Sequence, residues 1–115
     1  MISVVIATCD RGHLLPAVLY GLASQEVPPQ VVAIVDSSDI LIPVNDQFFD
    51  FEVFHIRSDQ RSLTRQRNEG ISFLRSRGLL GTYVSILDDD TVPKPDWIAQ
   101  CVQFLEARGL KILGC

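Results

Sequence analysis

The chain has 115 residues, 47% hydrophobic and 21% charged, a composition that fits one compact domain and excludes a disordered chain. Its net charge of −4 speaks against a nucleic-acid binder, which needs a basic face. No apolar run nears the roughly 20 residues that span a bilayer, and the opening MISVVIATCDR reads as neither a basic leader nor a cleavage site. The three cysteines, Cys9, Cys101 and Cys115, are far apart and form no CxxC, so reduced thiols in a cytoplasmic setting are expected, without a zinc site.

In chain order, residues 2–8 (ISVVIAT) are a near-continuous β-branched run, as in a parallel strand covered on both faces. GHLLPAVLYGLASQ follows, with Leu15, Val18, Leu19 and Leu22 at helical spacing and Pro16 placed in the first turn. VVAIVD (31–36) predicts a second buried strand, and FEVFHI (51–56) a third. The long connection between them, 37–50, reads as a surface excursion. Residues 62–77 form a second helical pattern stopped by Gly78, TYVSIL (82–87) a fourth strand, and DWIAQCVQFLEAR a third helix with Trp97 as a core anchor. LKILGC begins a fifth strand. Strands alternating with helices predict a Rossmann-like α/β half-domain, a mostly parallel sheet with helices on both faces.

In such sheets ligands bind outside the carboxyl ends of the strands, where the strand order reverses. Three strand ends carry polar residues: Thr8-Cys9-Asp10, Asp36 to Asp39, and Asp88-Asp89-Asp90. In extended chain, Asp88 and Asp90 face one side and Asp89 the other. Two convergent carboxylates suit a hard cation, Mg²⁺ or Mn²⁺, with positions left for phosphate oxygens. Helix capping or a solvated turn is the plainer use of such aspartates. Arg57, Arg61, Arg65 and Arg67 form a basic cluster that could meet a diphosphate or simply offset an acidic surface. His13 and His55 have no partner at metal spacing, and Pro93 and Pro95 stiffen the loop after the aspartates. No glycine-rich dinucleotide turn, P-loop, GxSxG or HExxH occurs.

SVVIATCDR, VVAIVDSSD, SLTRQRNEGI and VSILDDDTVPKPDWI, in this order and spacing, resemble the successive motifs of family 2 glycosyltransferases, which have the GT-A fold. The resemblance implies a nucleotide-sugar-binding part with Thr8, Asp10, Arg11, Asp36, Arg67, Asn68, Asp88 and Asp89 on the donor. It implies a DxD metal site at Asp88 and Asp90 for Mn²⁺ or Mg²⁺, with Asp90 the more direct ligand. Transfer to an acceptor hydroxyl, of a saccharide, lipid or protein, would invert the anomeric centre. The chain departs from the family at Ser37 and Ser38, where a second aspartate or glycine is usual. It departs again at Cys9, where an aromatic residue often stacks on the base, and at Ser62 and Arg65, which replace a glycine and a small residue.

Two other functions fit parts of the sequence. ILDDDTV also matches the nucleophile motif of haloacid-dehalogenase-type phosphatases, and a non-catalytic nucleotide-binding or interaction module would carry the same binding residues. The expected organisation is one donor-binding domain over 1–115, truncated before an acceptor half that would hold the catalytic base. That leaves an open sheet edge suited to self-association. The full-length enzyme is expected in the cytoplasm, either free or peripheral at the inner membrane face.

Overall fold

A computed structural model describes residues 1–45 and 49–110. Among these residues are four strands, β1 (Ile2–Thr8), β2 (Val31–Asp36), β3 (Glu52–Arg57) and β4 (Tyr83–Asp88), and three helices, α1 (Leu15–Ala23) between β1 and β2, α2 (Leu63–Ser76) between β3 and β4, and α3 (Trp97–Arg108) after β4. A single 3-10 turn, Gly12–Leu14, leads into α1. All strand pairs are parallel, in the order β3-β2-β1-β4. The α/β architecture read from the periodicity is therefore present, with element ends within a few residues of those expected. The fifth strand expected at LKILGC falls almost entirely on 111–115, outside the described residues.

β1 and β2 are buried along their whole length, because helices cover both faces of the sheet. On one face Val4, Ile6, Val32 and Ile34 meet Leu15, Leu19 and Leu22 of α1 and Ile98 of α3. On the other, Val5, Val31 and Ala33 meet Leu74 of α2. Full burial of one such side chain stabilises by roughly 1.5–3 kcal/mol. Trp97 packs half-buried against the first cluster, the anchoring role expected of it.

α2 lies close on the sheet because Gly70 has no side chain there; a Cβ would sit 2.5 Å from Val5 Cγ1. Its start is capped by the Ser62 hydroxyl, which accepts from the Arg65 N–H. Its end turns through Gly78 at φ 70°, where the Leu79 N–H closes on the Leu74 carbonyl at 2.8 Å.

Parallel register brings the strand ends to one rim: Thr8 pairs with Asp36, Ala7 with Asp88, and Asp36 with Arg57. β1 is followed to one side by β2 and β3, and to the other by β4. The order thus reverses between β1 and β4, and the ligand crevice of such a sheet opens there. No helix among the described residues is long and apolar enough to cross a membrane.

Candidate functional site

The three aspartates after β4 take different partners at the crevice. Asp88 is the last residue of β4, and the chain turns at once, so the alternation of an extended strand stops there. The Asp88 side chain, 62% exposed, is paired through Oδ1 with Arg67 Nη2 at 3.0 Å. Asp89 turns inward, where its Oδ2 accepts the Thr8 hydroxyl at 2.8 Å. Asp90 stays exposed and shares Arg11 with Asp89: the same guanidinium nitrogen is 3.3 Å from Asp89 Oδ1 and 3.2 Å from Asp90 Oδ2. Asp89 and Asp90, rather than Asp88 and Asp90, therefore converge on one positive charge, because turn geometry replaces the strand period.

That convergence is the chemical test of a cation site. Two carboxylate oxygens held around one cationic nitrogen are the beginning of a hard-cation ligand set, with phosphate oxygens or water to complete it. Among the described residues no group of three or more His, Cys, Asp or Glu is close enough to hold a metal alone. A divalent ion would thus need ligand oxygens from its substrate, and it would compete with Arg11.

The second strand end is built differently. Asp36 is 1% exposed and is held by three donors. The Ser38 N–H reaches Oδ1 at 2.9 Å, the Ser38 hydroxyl donates to the same oxygen, and His55 Nε2 lies 2.8 Å from Oδ2. Burial pushes the Asp36 carboxyl up, but the bonds from the Ser38 hydroxyl, His55 and the Ser38 N–H outweigh it and leave it below the ordinary value. The Ser38 hydroxyl in turn accepts the Asp10 N–H at 2.6 Å. Asp10 is the one described non-glycine residue with positive φ, 55°, a conformation aspartate tolerates better than most residues. Its side chain accepts from the Asp39 N–H at 3.1 Å.

Arg61 crosses this rim, pairing with Asp10 at 3.4 Å and with Asp39. Of the basic cluster, then, Arg61 and Arg67 reach the strand ends and Arg57 touches the Asp39 carbonyl at 3.4 Å. Arg65 instead binds Gln60. Asn68, expected on the donor, is exposed and lines a groove between β3 and α2 with Ile56, Gln60, Arg65 and Phe73. α2 carries Arg67 to the crevice and Asn68 away from it, since adjacent helical residues point about 100° apart.

Two glutamines that sequence reasoning passed over hold the frame. Gln66 is 1% exposed, and its Nε2 donates to the Thr8 carbonyl at 2.9 Å and the Val35 carbonyl at 3.0 Å, tying the ends of β1 and β2 together. The family segment that SLTRQRNEGI resembles reads G-x-S-x-A-R-N-x-G over Ser62 to Gly70, and its small fifth position falls on Gln66 rather than Arg65; that substitution is the available signal. Gln25 donates to the Lys94 carbonyl at 2.7 Å and accepts the Ile98 N–H at 3.0 Å, pinning the loop after the aspartates to α1. His55 was legible only as a histidine inside a strand; its link to Asp36 needs the β2–β3 register.

The sequence model described as Glycosyl transferase family 2 matches residues 3–115. No curated protein matches the chain closely enough to count as a relative. Among solved structures, S. aureus TarS is similar at a TM-score of 0.64 and 16% identity, over 94% of this chain and 20% of that one. A structure of TarS residues 1–349 has a TM-score of 0.64 at 15% identity, covering 94% and 33%. The same segment in complex with UDP has 0.62 at 15%, covering 94% and 32%. The chain thus spans a fifth to a third of the length of these structures, and at such identity the likeness is one of fold.

Proposed function

From the premise that the chain belongs to glycosyl transferase family 2, we propose that it is the donor-binding domain of a glycosyltransferase that takes its sugar from a nucleoside diphosphate sugar. The observation that carries this reading is the convergence of Thr8, Arg11, Asp89 and Asp90 at the β1/β4 crevice, where the strand order reverses. UDP is the first nucleotide to try, since the similar S. aureus structure holds it.

In this reading the nucleoside lies across the ends of β1 and β2, against Asp10 and Asp36. Arg11 and Arg67 turn from the aspartates to the diphosphate, where a guanidinium can bind two oxygens at once. Asp90 would be the principal ligand of the metal, with Asp88 beside it once free of Arg67, and Asp89 would add its negative charge to the site. A bound Mn²⁺ or Mg²⁺ supplies neutralisation of the charge that develops on the departing nucleoside diphosphate. Thr8 holds Asp89 in place, and Gln25 holds the loop that carries Asp90. An acceptor hydroxyl, deprotonated by a carboxylate base, attacks the anomeric carbon from the face opposite the leaving group, with inversion. No described residue is assigned as that base. A cytoplasmic position belongs to this reading, as the place where the donor is met.

Against the phosphatase alternative stands the match of the family 2 glycosyl transferase model to residues 3–115. The test is calorimetry with UDP, GDP and dTDP, with and without Mn²⁺. Binding that needs the metal and is largely lost in Asp90→Ala is expected; equal affinity in EDTA would remove the metal from the account.

A further inference from the structure

Asp36 presents a difficulty for any ligand that is to touch it: the carboxylate is 1% exposed, and Oδ1 already accepts two hydrogen bonds from Ser38. The three donors are not equally fixed. His55 is in the middle of β3, in register with Ile34, and the Ser38 N–H belongs to the backbone. The Ser38 hydroxyl turns about a single bond, on a residue beyond the end of β2. It can leave Asp36 by a rotamer change alone.

Its departure would expose a matched pair. The hydroxyl accepts from the Asp10 N–H and donates to Asp36 Oδ1, so the groups it releases are one backbone donor and one carboxylate acceptor, side by side. A nucleobase edge with an N–H next to a carbonyl or ring nitrogen fits that pair, and Ser38 imitates it with one atom. The closed turn is also incompletely satisfied: the Ser37 hydroxyl and His55 Nδ1 are buried without a hydrogen-bond partner among the described residues, unusual for buried polar atoms.

We propose that the Ser38 hydroxyl is an internal competitor for the nucleobase, so that Ser38 sets how tightly the nucleoside half of the donor binds. The assignment rests on the reading that the nucleoside lies against Asp36. Apparent affinity is the intrinsic affinity multiplied by the fraction of molecules in which the hydroxyl has swung away, and a base that replaces it restores both hydrogen bonds in the same places. Ser38→Ala removes the competitor and keeps the backbone donor.

UDP and pyrophosphate are titrated calorimetrically in Mg²⁺ against the wild-type chain, Ser38→Ala, Ser38→Thr and Asp36→Asn, with thermal unfolding of each. Ser38→Ala should bind UDP about tenfold more tightly, the order expected for one hydrogen bond to a charged group, while its unfolding temperature falls. Its pyrophosphate affinity should not move, and Ser38→Thr, which keeps the hydroxyl, should return UDP affinity to the wild-type value. Unchanged or weaker UDP binding by folded Ser38→Ala, with Asp36→Asn weakened, would overturn the role of Ser38 and leave the nucleoside position standing. If folded Asp36→Asn binds UDP as the wild type does, or if no protein binds UDP, the nucleoside position itself falls and this role with it.

Discussion

The β1/β4 crevice and the β2 terminus both end strands in aspartate, yet they are opposite in construction. At the crevice, Asp88 and Asp90 are more than half exposed and are answered by the long, mobile side chains of Arg67 and Arg11. At β2, Asp36 is sealed and answered by a turn, a hydroxyl and an imidazole. Exposed ion pairs contribute little to stability, so the crevice can exchange partners at small cost. Buried carboxylates with fixed donors cannot be released so cheaply. In the proposed reading the crevice trades its counter-ions for a metal and a diphosphate, while the β2 terminus holds the sheet's rim together.

The largest effect that this contrast predicts is in stability. Asp36→Ala leaves His55 and both Ser38 donors facing nothing and should cost about 2–4 kcal/mol, whereas Asp90→Ala should cost less than about 1 kcal/mol. Urea unfolding of the two variants compares them directly, and similar losses would erase the distinction between the regions. Next comes Gln66→Ala, which opens a void under two strand ends and removes two hydrogen bonds to carbonyls. A loss of about 2 kcal/mol is expected, together with weaker UDP binding if the spacing of β1 and β2 matters to the nucleoside.

Acid sharpens the same comparison. Asp36 has a folded value below its ordinary 3.8, so the native state favours the ionised form. The stability it lends is complete above that ordinary value and is lost as pH falls through the lower folded one. Asp36→Asn should therefore flatten the fall in unfolding free energy below about pH 4, which urea unfolding at a series of pH values would measure. The smallest stability effect belongs to Arg11→Ala, within about 0.5 kcal/mol of wild type. Its UDP affinity should nonetheless drop and lose part of its salt dependence, which titrations at two ionic strengths would measure.

Much of this was legible before any coordinates. Runs such as ISVVIAT and VVAIVD can only be strands buried on both sides, and the helical spacing of Leu15, Val18, Leu19 and Leu22 requires a sheet to cover. The polar strand ends marked the rim for the same reason: a core has no use for Asp36 or Asp88. What was not legible depended on turns and on register. The period of two that was to separate Asp89 from Asp88 and Asp90 ends with the strand, so Asp89 went inward to Thr8 and joined Asp90 on Arg11. Asn68 followed its helix away from the crevice. His55 and Asp36 are 19 residues apart, and only the pairing of β3 on β2 makes them neighbours. Gln66 carried the quietest signal, a long amide where the family pattern has a small side chain.

In the proposed reading donor binds at the β1/β4 crevice and along the rim to β2. Mapping amide chemical shifts of the ¹⁵N-labelled chain while UDP and Mg²⁺ are added together would locate it. The account predicts that the signals of Thr8 to Arg11, Ser37 to Asp39, Arg67 and Asp88 to Thr91 move first and furthest, and that they stay in place when Mg²⁺ is withheld. Shifts confined to the groove of Asn68 and Phe73, or to the face of α3 around Trp97 and Phe104, would contradict it.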